Sequence, residues 1–334
     1  MGGFGQVQEE TIHALVRDYI DRYVARELQN FQEKSPRFRY LFSRLRSAAY
    51  DIIENIADEL RNSDFAPVAF ELGFGGKDGE LRHSDFVPLE FELSFGDGKP
   101  LPAVVISEPG AEVRLGGKVD RVDGWIDDDK LYLRVVDYKS GRKAFDLGAV
   151  RMGLDIQMLL YLFTLQKSGK DYFGRDIEPA GILYLPARDE VLSASRGVTA
   201  EKLAAMREKE LRRSGLVLAE PAVLRAMEHE ALEQPHFLPL NLRKDGSISG
   251  SIASAAQLGK LSGHVEKVLH EITREIRDGN IDADPCCKSE DDTPCRYCDW
   301  AEACHFSDGR GGDRLRYILP VKPEEFWKEL EEGD

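Results

Sequence analysis

The chain has 334 residues, of which 60 are acidic and 45 are basic, so its formal net charge is −15. With 42% hydrophobic and 31% charged residues, it has enough apolar side chains for a substantial core, which excludes a disordered chain. No apolar run is long enough to cross a bilayer and no secretory signal opens the chain, so we expect a soluble cytoplasmic protein. The acid excess argues against a protein that coats nucleic acid through bulk positive charge.

Residues 7–62 are predicted to form two helices, because apolar residues recur at helical spacing on both sides of a break at Ser35 and Pro36. The second helix opens with four arginines, and these form either a solvated surface or a contact to a DNA backbone: Arg37, Arg39, Arg44 and Arg46. From Pro67 the pattern changes to β-rich runs separated by turns. The predicted strands are Val68–Phe74, Val87–Phe95, Ala103–Ile106, Glu112–Ile126 and Leu131–Tyr138.

A helix over about Leu154–Gln166 and a strand over Gly181–Leu185 come next, and further helices are predicted over about 200–213, 221–232 and 254–278. This order favours an α/β fold with a mixed β-sheet flanked by helices, further helices and a C-terminal cysteine loop. We divide the chain into an N-terminal helical segment (1–62), a core with helical insertions (63–280) and a cysteine-rich loop with a tail (281–334).

Five residues between 117 and 161 form a candidate site. Asp137 and Lys139 lie two positions apart on one predicted strand and therefore share a face. The hairpin at 127–130 brings the preceding strand alongside, so Asp120 can converge with Asp137. Gln157 and Tyr161 are i,i+4 neighbours on the next helix and face one groove.

Two carboxylates beside a lysine are what metal-assisted phosphodiester hydrolysis requires. Carboxylate oxygens hold a divalent cation, and the lysine neutralises charge on the phosphate or positions the attacking water. The Gln157–Tyr161 pair would orient the lysine or grip the substrate backbone. Taken alone, an Asp-x-Lys strand is typical of a surface ion pair, and Asp123 with Arg121 is equally a salt-bridged strand pair. The combination predicts a nuclease site.

The segments Gly117–Asp123 and Val135–Ser140, and the helix with Gly153, Gln157 and Tyr161, resemble a known family. They are similar to the PD-(D/E)XK, RecB-like nuclease superfamily, and within it to the C-terminal nuclease domains of the AddB proteins. AddB is one of the two subunits of bacterial ATP-dependent helicase–nucleases. The resemblance extends from Phe65 through the cysteines.

This resemblance implies a restriction-endonuclease-like core. It also implies Asp120 and Asp137 as metal ligands, Lys139 as the catalytic lysine, and Gln157 with Tyr161 as an accessory motif. The implied activity is Mg²⁺- or Mn²⁺-dependent exonuclease cleavage of DNA, as a single strand or unwound end, during double-strand-break processing for homologous recombination. The implied partner is an AddA-type helicase–nuclease subunit.

All five cysteines lie in one short stretch, whereas a disulfide scaffold would spread them along the chain. Metal ligation is therefore predicted, and Cys295, Cys298 and Cys304 have a spacing that suits zinc or an iron–sulfur cluster. The resemblance favours a [4Fe–4S] cluster, whose fourth cysteine lies upstream of the core in the family. No cysteine precedes Cys286 here, so either Cys286 or Cys287 supplies the fourth ligand or the cluster is absent from this chain.

A second departure from the family concerns histidine. The family places a histidine from an early helix at the metal site, but the surroundings of His13 do not match that motif, so we predict a surface or packing role for it. Both departures fall at the start of the chain. We therefore interpret it as a fragment of a larger protein or as a divergent member.

The leading hypothesis is a metal-dependent exonuclease module of a helicase–nuclease complex. The chain has no P-loop motif, so helicase activity must come from elsewhere. One alternative is a stand-alone Fe–S exonuclease of the CRISPR-adaptation type, and another is a nuclease-silent DNA-binding or structural module. Four basic residues within 186–250 are predicted to form a solvated helix face rather than a DNA path: Arg207, Lys209, Arg212 and Arg213.

Overall fold

The computed structural model describes residues 7–28, 31–73, 101–188 and 192–332. Two helices open it, α1 (Glu9–Glu27) and α2 (Pro36–Arg61). The predicted break is the start of α2: the Ser35 hydroxyl accepts a hydrogen bond from the backbone N–H of Phe38 at 3.2 Å, and proline occupies the first helical position. The predicted strand at 87–95 lies outside the described residues.

A six-stranded mixed sheet forms the centre of the molecule. Its strands, in spatial order, are β1 (Ala66–Gly73), β4 (Lys118–Asp127), β5 (Lys130–Lys139), β6 (Asp176–Pro186), β7 (Ser214–Leu218) and β10 (Ile252–Ala253). The β5–β6 and β7–β10 pairs are parallel and the other three are antiparallel. The predicted mixed α/β class is therefore confirmed.

The remaining strands form three small two-stranded sheets. These are β2 (Val104–Glu108) with β3 (Ala111–Leu115), β8 (Leu240–Leu242) with β9 (Ile248–Gly250), and β11 (Cys286–Cys287) with β12 (Arg316–Tyr317). The other helices are α3 (Leu147–Arg151), α4 (Gln157–Ser168), α5 (Lys170–Phe173), α6 (Ala200–Leu211), α7 (Pro221–Met227), α8 (Ala255–Asp278), α9 (Ala301–Cys304) and α10 (Pro323–Glu332).

One predicted strand is in fact two. The run Glu112–Ile126 breaks at Gly116 and Gly117, so β3 pairs with β2 while β4 pairs with β1 and β5. Two successive glycines supply no side chains to pack and leave the backbone free to bend, which explains the break. The prediction of a helix over 221–232 was also too long, because α7 ends at Met227.

The two faces of the sheet have different partners. On β5, Arg134 points towards α2, where it meets Glu59. Because side chains alternate along a strand, Asp137 and Lys139 point to the opposite face, where α4 begins. The apolar side of α4, including Leu159, Leu162 and Leu165, is fully buried in the core. Among the described residues, no helix has both the length and the apolar content needed to span a membrane.

Candidate active site

The β4–β5 hairpin positions the two predicted carboxylates. Its antiparallel register pairs Arg121 with Val136, and continuing that register places Asp120 opposite Asp137. Oδ2 of Asp120 accepts a hydrogen bond from the backbone N–H of Tyr138 at 3.0 Å. Because this bond crosses from β4 to β5, it holds the Asp120 carboxylate beside the residue that follows Asp137.

Asp137 and Lys139 form the polar centre of the site. Nζ of Lys139 lies 2.6 Å from Oδ2 of Asp137, and the two side chains are 37% and 18% exposed. Even so, no described residue gives this buried oxygen a hydrogen bond of acceptable geometry. An under-satisfied carboxylate oxygen at the mouth of a groove is available to a further electrophilic partner.

The pKa of Asp137 also records its surroundings. Burial raises this pKa above its usual value, the Lys139 ammonium opposes the rise, and the charge of Asp120 adds to it. Two carboxylates that repel each other in a partly buried position are stabilised by a cation between them. The electrostatics therefore favour a bound positive charge at the Asp120–Asp137 pair.

The predicted accessory pair lies at the start of α4. Nε2 of Gln157 donates a hydrogen bond to the hydroxyl oxygen of Tyr161 at 2.6 Å. That oxygen also accepts a bond from the backbone N–H of Lys118 at 3.3 Å. Tyr161 is buried, so the pair ties the first turns of α4 to the beginning of β4, two residues before Asp120.

The turn before α4 depends on a glycine. Gly153 has a φ of +76°, and a Cβ at this position would lie 2.8 Å from Cγ1 of Val268 on α8. Both the backbone conformation and the space therefore require glycine. Asp155, in the same turn, meets Nζ of Lys143 at 2.5 Å. The turn thus fixes the start of α4 against α8 and orients a second lysine towards the site.

A family comparison decides the relationship of this arrangement to known proteins. The family model described as the PD-(D/E)XK nuclease superfamily matches residues 4–305. The chain belongs to the PD-(D/E)XK nuclease superfamily. Asp137-Tyr138-Lys139 has the Asp-x-Lys spacing that the superfamily name describes.

The curated relatives of this superfamily member share one name, which describes the second subunit of an ATP-dependent helicase/deoxyribonuclease. The protein from Acetivibrio thermocellus is 31% identical over 94% of this chain and 26% of its own length. The Clostridium tetani protein is 30% identical over 96% of this chain and 26% of its own length. The Desulforudis audaxviator protein is 32% identical over 89% and 24%. The chain spans about a quarter of the length of these relatives.

The chemistry of the site fits the hard divalent cation that the superfamily implies. Mg²⁺ and Mn²⁺ prefer oxygen ligands, and the hairpin provides two carboxylates on adjacent strands. The buried Oδ2 of Asp137, which lacks a well-formed hydrogen bond from any described residue, is the observation that favours a ligand at this position.

His13 takes no part in this cluster of contacts. Its Nε2 hydrogen-bonds Oε1 of Glu54 on α2, and its ring stacks on Tyr50 with the ring centroids 5.2 Å apart. The predicted packing role of His13 agrees with these contacts. Within the described ranges, Glu9, His13 and Glu54 form the one group of three side chains whose metal-capable atoms lie within 4.8 Å of one another.

The cysteine segment of this nuclease-superfamily chain is built from short elements. Cys286 and Cys287 form β11, Cys295 lies in a 3-10 helix (Pro294–Tyr297) and Cys304 ends α9. All five thiols are free, and Cys287 is buried while Cys298 and Cys304 are exposed. Burial raises the pKa of Cys287, and the charges of Cys286 and Cys295 raise it further, so these three residues lie near one another.

A network of buried charges lies on the opposite face of the sheet. Arg121 donates to Asp123 at 2.9 Å, which is the strand pair considered as an alternative above. Arg134 donates to Asp123 and to Glu59, both at 2.8 Å. Arg213 donates to Glu59 at 2.7 Å. All five side chains are at most 2% exposed.

The placement of Arg213 corrects one prediction. Arg213 is not part of a solvated helix face, because it lies beyond the end of α6 and pairs with Glu59, 154 residues earlier. Arg207 does stay exposed and pairs with Asp51 at 2.8 Å. Lys209 and Arg212 instead line a groove beside Lys139. No local sequence signal distinguishes these neighbours, since their fates depend on partners far along the chain.

Proposed function

We propose that the chain is a metal-dependent deoxyribonuclease module that hydrolyses DNA phosphodiester bonds as an exonuclease. The observation that carries the proposal is the convergence of Asp120, Asp137 and Lys139 at one end of the β4–β5 hairpin, with a buried and under-satisfied oxygen on Asp137. Membership of a nuclease superfamily supports the same chemistry.

The carboxylates of Asp120 and Asp137 would hold Mg²⁺ or Mn²⁺. When bound, the cation supplies polarisation of the phosphate and a lower pKa for the attacking water. The chain supplies positioning. The backbone N–H of Tyr138 holds the Asp120 carboxylate in place, and the strand pairing keeps Asp137 opposite. A preorganised carboxylate pair needs little rearrangement when substrate binds.

Lys139 provides the positive charge nearest the reacting phosphate. Its ammonium lies 5.8 Å from the centre of the Tyr184 ring, which limits where the side chain can point. From there it stabilises the extra negative charge that develops on the phosphate as water attacks and the leaving oxygen departs. Gln157 and Tyr161 act further back, by fixing α4 against β4.

We further propose that the module works within a helicase–nuclease complex during double-strand-break processing for homologous recombination, with an AddA-type subunit as partner. The shared name of the relatives, which describes one subunit of an ATP-dependent helicase/deoxyribonuclease, supports this setting. The matching region makes up about a quarter of each relative, as expected for a module of a larger protein.

The cysteine segment is proposed to hold a [4Fe–4S] cluster through Cys295, Cys298 and Cys304. Four thiolates complete such a site, and Cys287 is the candidate for the fourth because it is buried in the same segment and near Cys295. Fe–S clusters bind cysteine thiolates, and this segment concentrates all five cysteines of the chain. The proposed contribution of the cluster is to hold the segment together.

Metal dependence tests the proposed activity. We expect the chain to shorten end-labelled single-stranded DNA in Mg²⁺ or Mn²⁺, because neither Asp120 nor Asp137 can activate water without a cation. Excess chelator should stop the reaction, and restoring Mg²⁺ should restart it. Product length over time, resolved on denaturing gels, is the measurement. Cleavage that continues at an unchanged rate in chelator would contradict the proposal.

A further inference from the structure

A groove rich in basic side chains begins at Lys139 and has not been given a role above. It has a volume of about 520 Å³. Besides Lys139, six basic residues line it, and we call it the basic groove: Arg142, Lys143, Arg188, Lys209, Arg212 and Lys288. Two acidic residues line it, Asp155 and Glu210. The whole chain has a net charge of −15, so this concentration of positive charge runs against the composition of the molecule.

The basic groove follows the end of the sheet outward from the candidate active site. Tyr184 on β6 is the register partner of Asp137 on β5, and Ser214 on β7 is the register partner of Tyr184. Both Tyr184 and Ser214 line the groove. The groove therefore crosses three neighbouring strands at the level of Asp137, and one end of it opens at the proposed site of cleavage.

Several cations of the groove are held in place before any ligand binds. The guanidinium of Arg212 donates to the backbone oxygens of Leu240 at 3.1 Å and Pro235 at 2.6 Å, while its buried Nε has no partner among the described residues. Nζ of Lys143 lies 5.9 Å from the centre of the Tyr184 ring. Cations that are already ordered lose little entropy when they bind an anion.

Three distant parts of the chain build the groove. One is the loop after β5, another is the end of α6 with the strand that follows, and the third is the cysteine segment, which contributes Lys288. Nζ of Lys288 lies 2.9 Å from Oδ2 of Asp146, so the residue after Cys287 is fastened to the loop that leads into α3. The cysteine segment thus supplies one wall of the groove.

We propose that the basic groove binds the phosphodiester backbone of the nucleic-acid strand on one side of the cleaved bond. The inference rests on the proposed function, because it takes Asp137 as the site of cleavage. Several cations along a groove suit a chain of regularly spaced phosphates, whereas a single small anion would need only one or two of them. The contacts are to phosphates, so the groove binds without regard to base sequence.

Glu210 gives the proposal a directional test. Its Oε2 lies 2.8 Å from Nη2 of Arg142 and 3.4 Å from Nη2 of Arg188, so one carboxylate occupies two cations of the groove. A phosphate entering the groove must compete with this carboxylate. Glu210→Gln removes the competing charge and should therefore tighten binding, an effect that general damage to the fold does not produce.

The experiment measures the affinity of the chain for labelled oligothymidylate in chelator, which prevents cleavage, over a range of salt concentrations. In the groove variant, Arg142, Lys209 and Lys288 are each changed to Gln, since these three side chains are exposed. We expect the affinity to fall by at least about tenfold. The slope of log affinity against log salt should fall by about 2, from three phosphate contacts at about 0.7 each. Glu210→Gln should raise the affinity by about threefold or more.

The matched control changes Arg37, Arg39 and Arg46 on α2 to Gln, which removes the same charge from another exposed basic surface. We expect the control to bind within about twofold of the unaltered chain. The proposal is overturned if the chain does not bind the oligonucleotide, if the groove variant binds with unchanged affinity and salt slope, or if the control loses more affinity than the groove variant. Cleavage is not measured here, so loss of the proposed nuclease activity and loss of the groove are separate results.

Discussion

At the residue scale, Glu59 has the most unusual environment in the described chain. This carboxylate is buried with three arginines, and it hydrogen-bonds Arg134 and Arg213. Burial alone would raise the pKa of Glu59, but attraction from Arg213, Arg134 and Arg121 outweighs it and lowers the pKa to about 2. Glu59 therefore joins α2 to the side of the sheet opposite the candidate site.

Replacing Glu59 should be costly. Glu59→Gln leaves three buried arginines with one buried carboxylate, that of Asp123, and we expect the free energy of unfolding at neutral pH to fall by about 3 to 5 kcal/mol. Urea denaturation measures this loss. Asp58→Asn is the matched control on the same helix: Asp58 is 56% exposed, so its replacement should cost no more than about 0.5 kcal/mol. Equal stability of Glu59→Gln and the unaltered chain would contradict the account.

The loss should also depend on pH. Because the pKa of Glu59 in the folded chain is below its usual value of 4.5, the ionised carboxylate stabilises the fold at any pH above 4.5. That contribution disappears as the pH falls towards about 2. The stability difference between the unaltered chain and Glu59→Gln should therefore shrink across this acidic interval.

At the element scale, the sequence predicts the helices and the β4–β5 hairpin well, because apolar spacing and turn residues are local signals. The pair of glycines at 116–117 is also local, yet the run around it reads as one strand because both halves have strand composition. Helix α10 was not predicted, and its buried Phe326 and Trp327 reach the core only through the tertiary fold. Local pattern thus predicts elements better than it predicts their ends and partners.

The cysteine segment carries its own prediction at this scale. We expect anaerobically purified protein to contain iron and acid-labile sulfide, and Cys295→Ser and Cys287→Ser to lower both, because each removes a proposed thiolate ligand. Cys286→Ser is the matched control, since it alters the neighbouring cysteine that is not a proposed ligand. Elemental analysis of the purified variants is the measurement. Iron-free protein, or iron lost in Cys286→Ser and retained in Cys287→Ser, would contradict the ligand set.

At the scale of the whole molecule, strand alternation and one hairpin were enough to predict that Asp120, Asp137 and Lys139 share a face. The basic groove could not be predicted in the same way, because its walls come from residues as far apart as Arg142 and Lys288. The fate of Arg213 likewise depends on Glu59, far away in sequence. Net charge was the least informative feature, since an acidic chain carries this local positive groove.

The central claim is that one end of the β4–β5 hairpin is the site of cleavage, and the other end of the same hairpin offers the control. Asp137→Asn and Lys139→Gln alter the proposed site, while Asp127→Asn and Lys130→Gln make the same changes at the exposed turn. The most direct measurement is the single-turnover rate of single-stranded DNA cleavage in saturating Mg²⁺. The account predicts that each site variant is slower by at least about 100-fold and each turn variant is within about twofold of the unaltered chain. Cleavage by Asp137→Asn at the unaltered rate would contradict it.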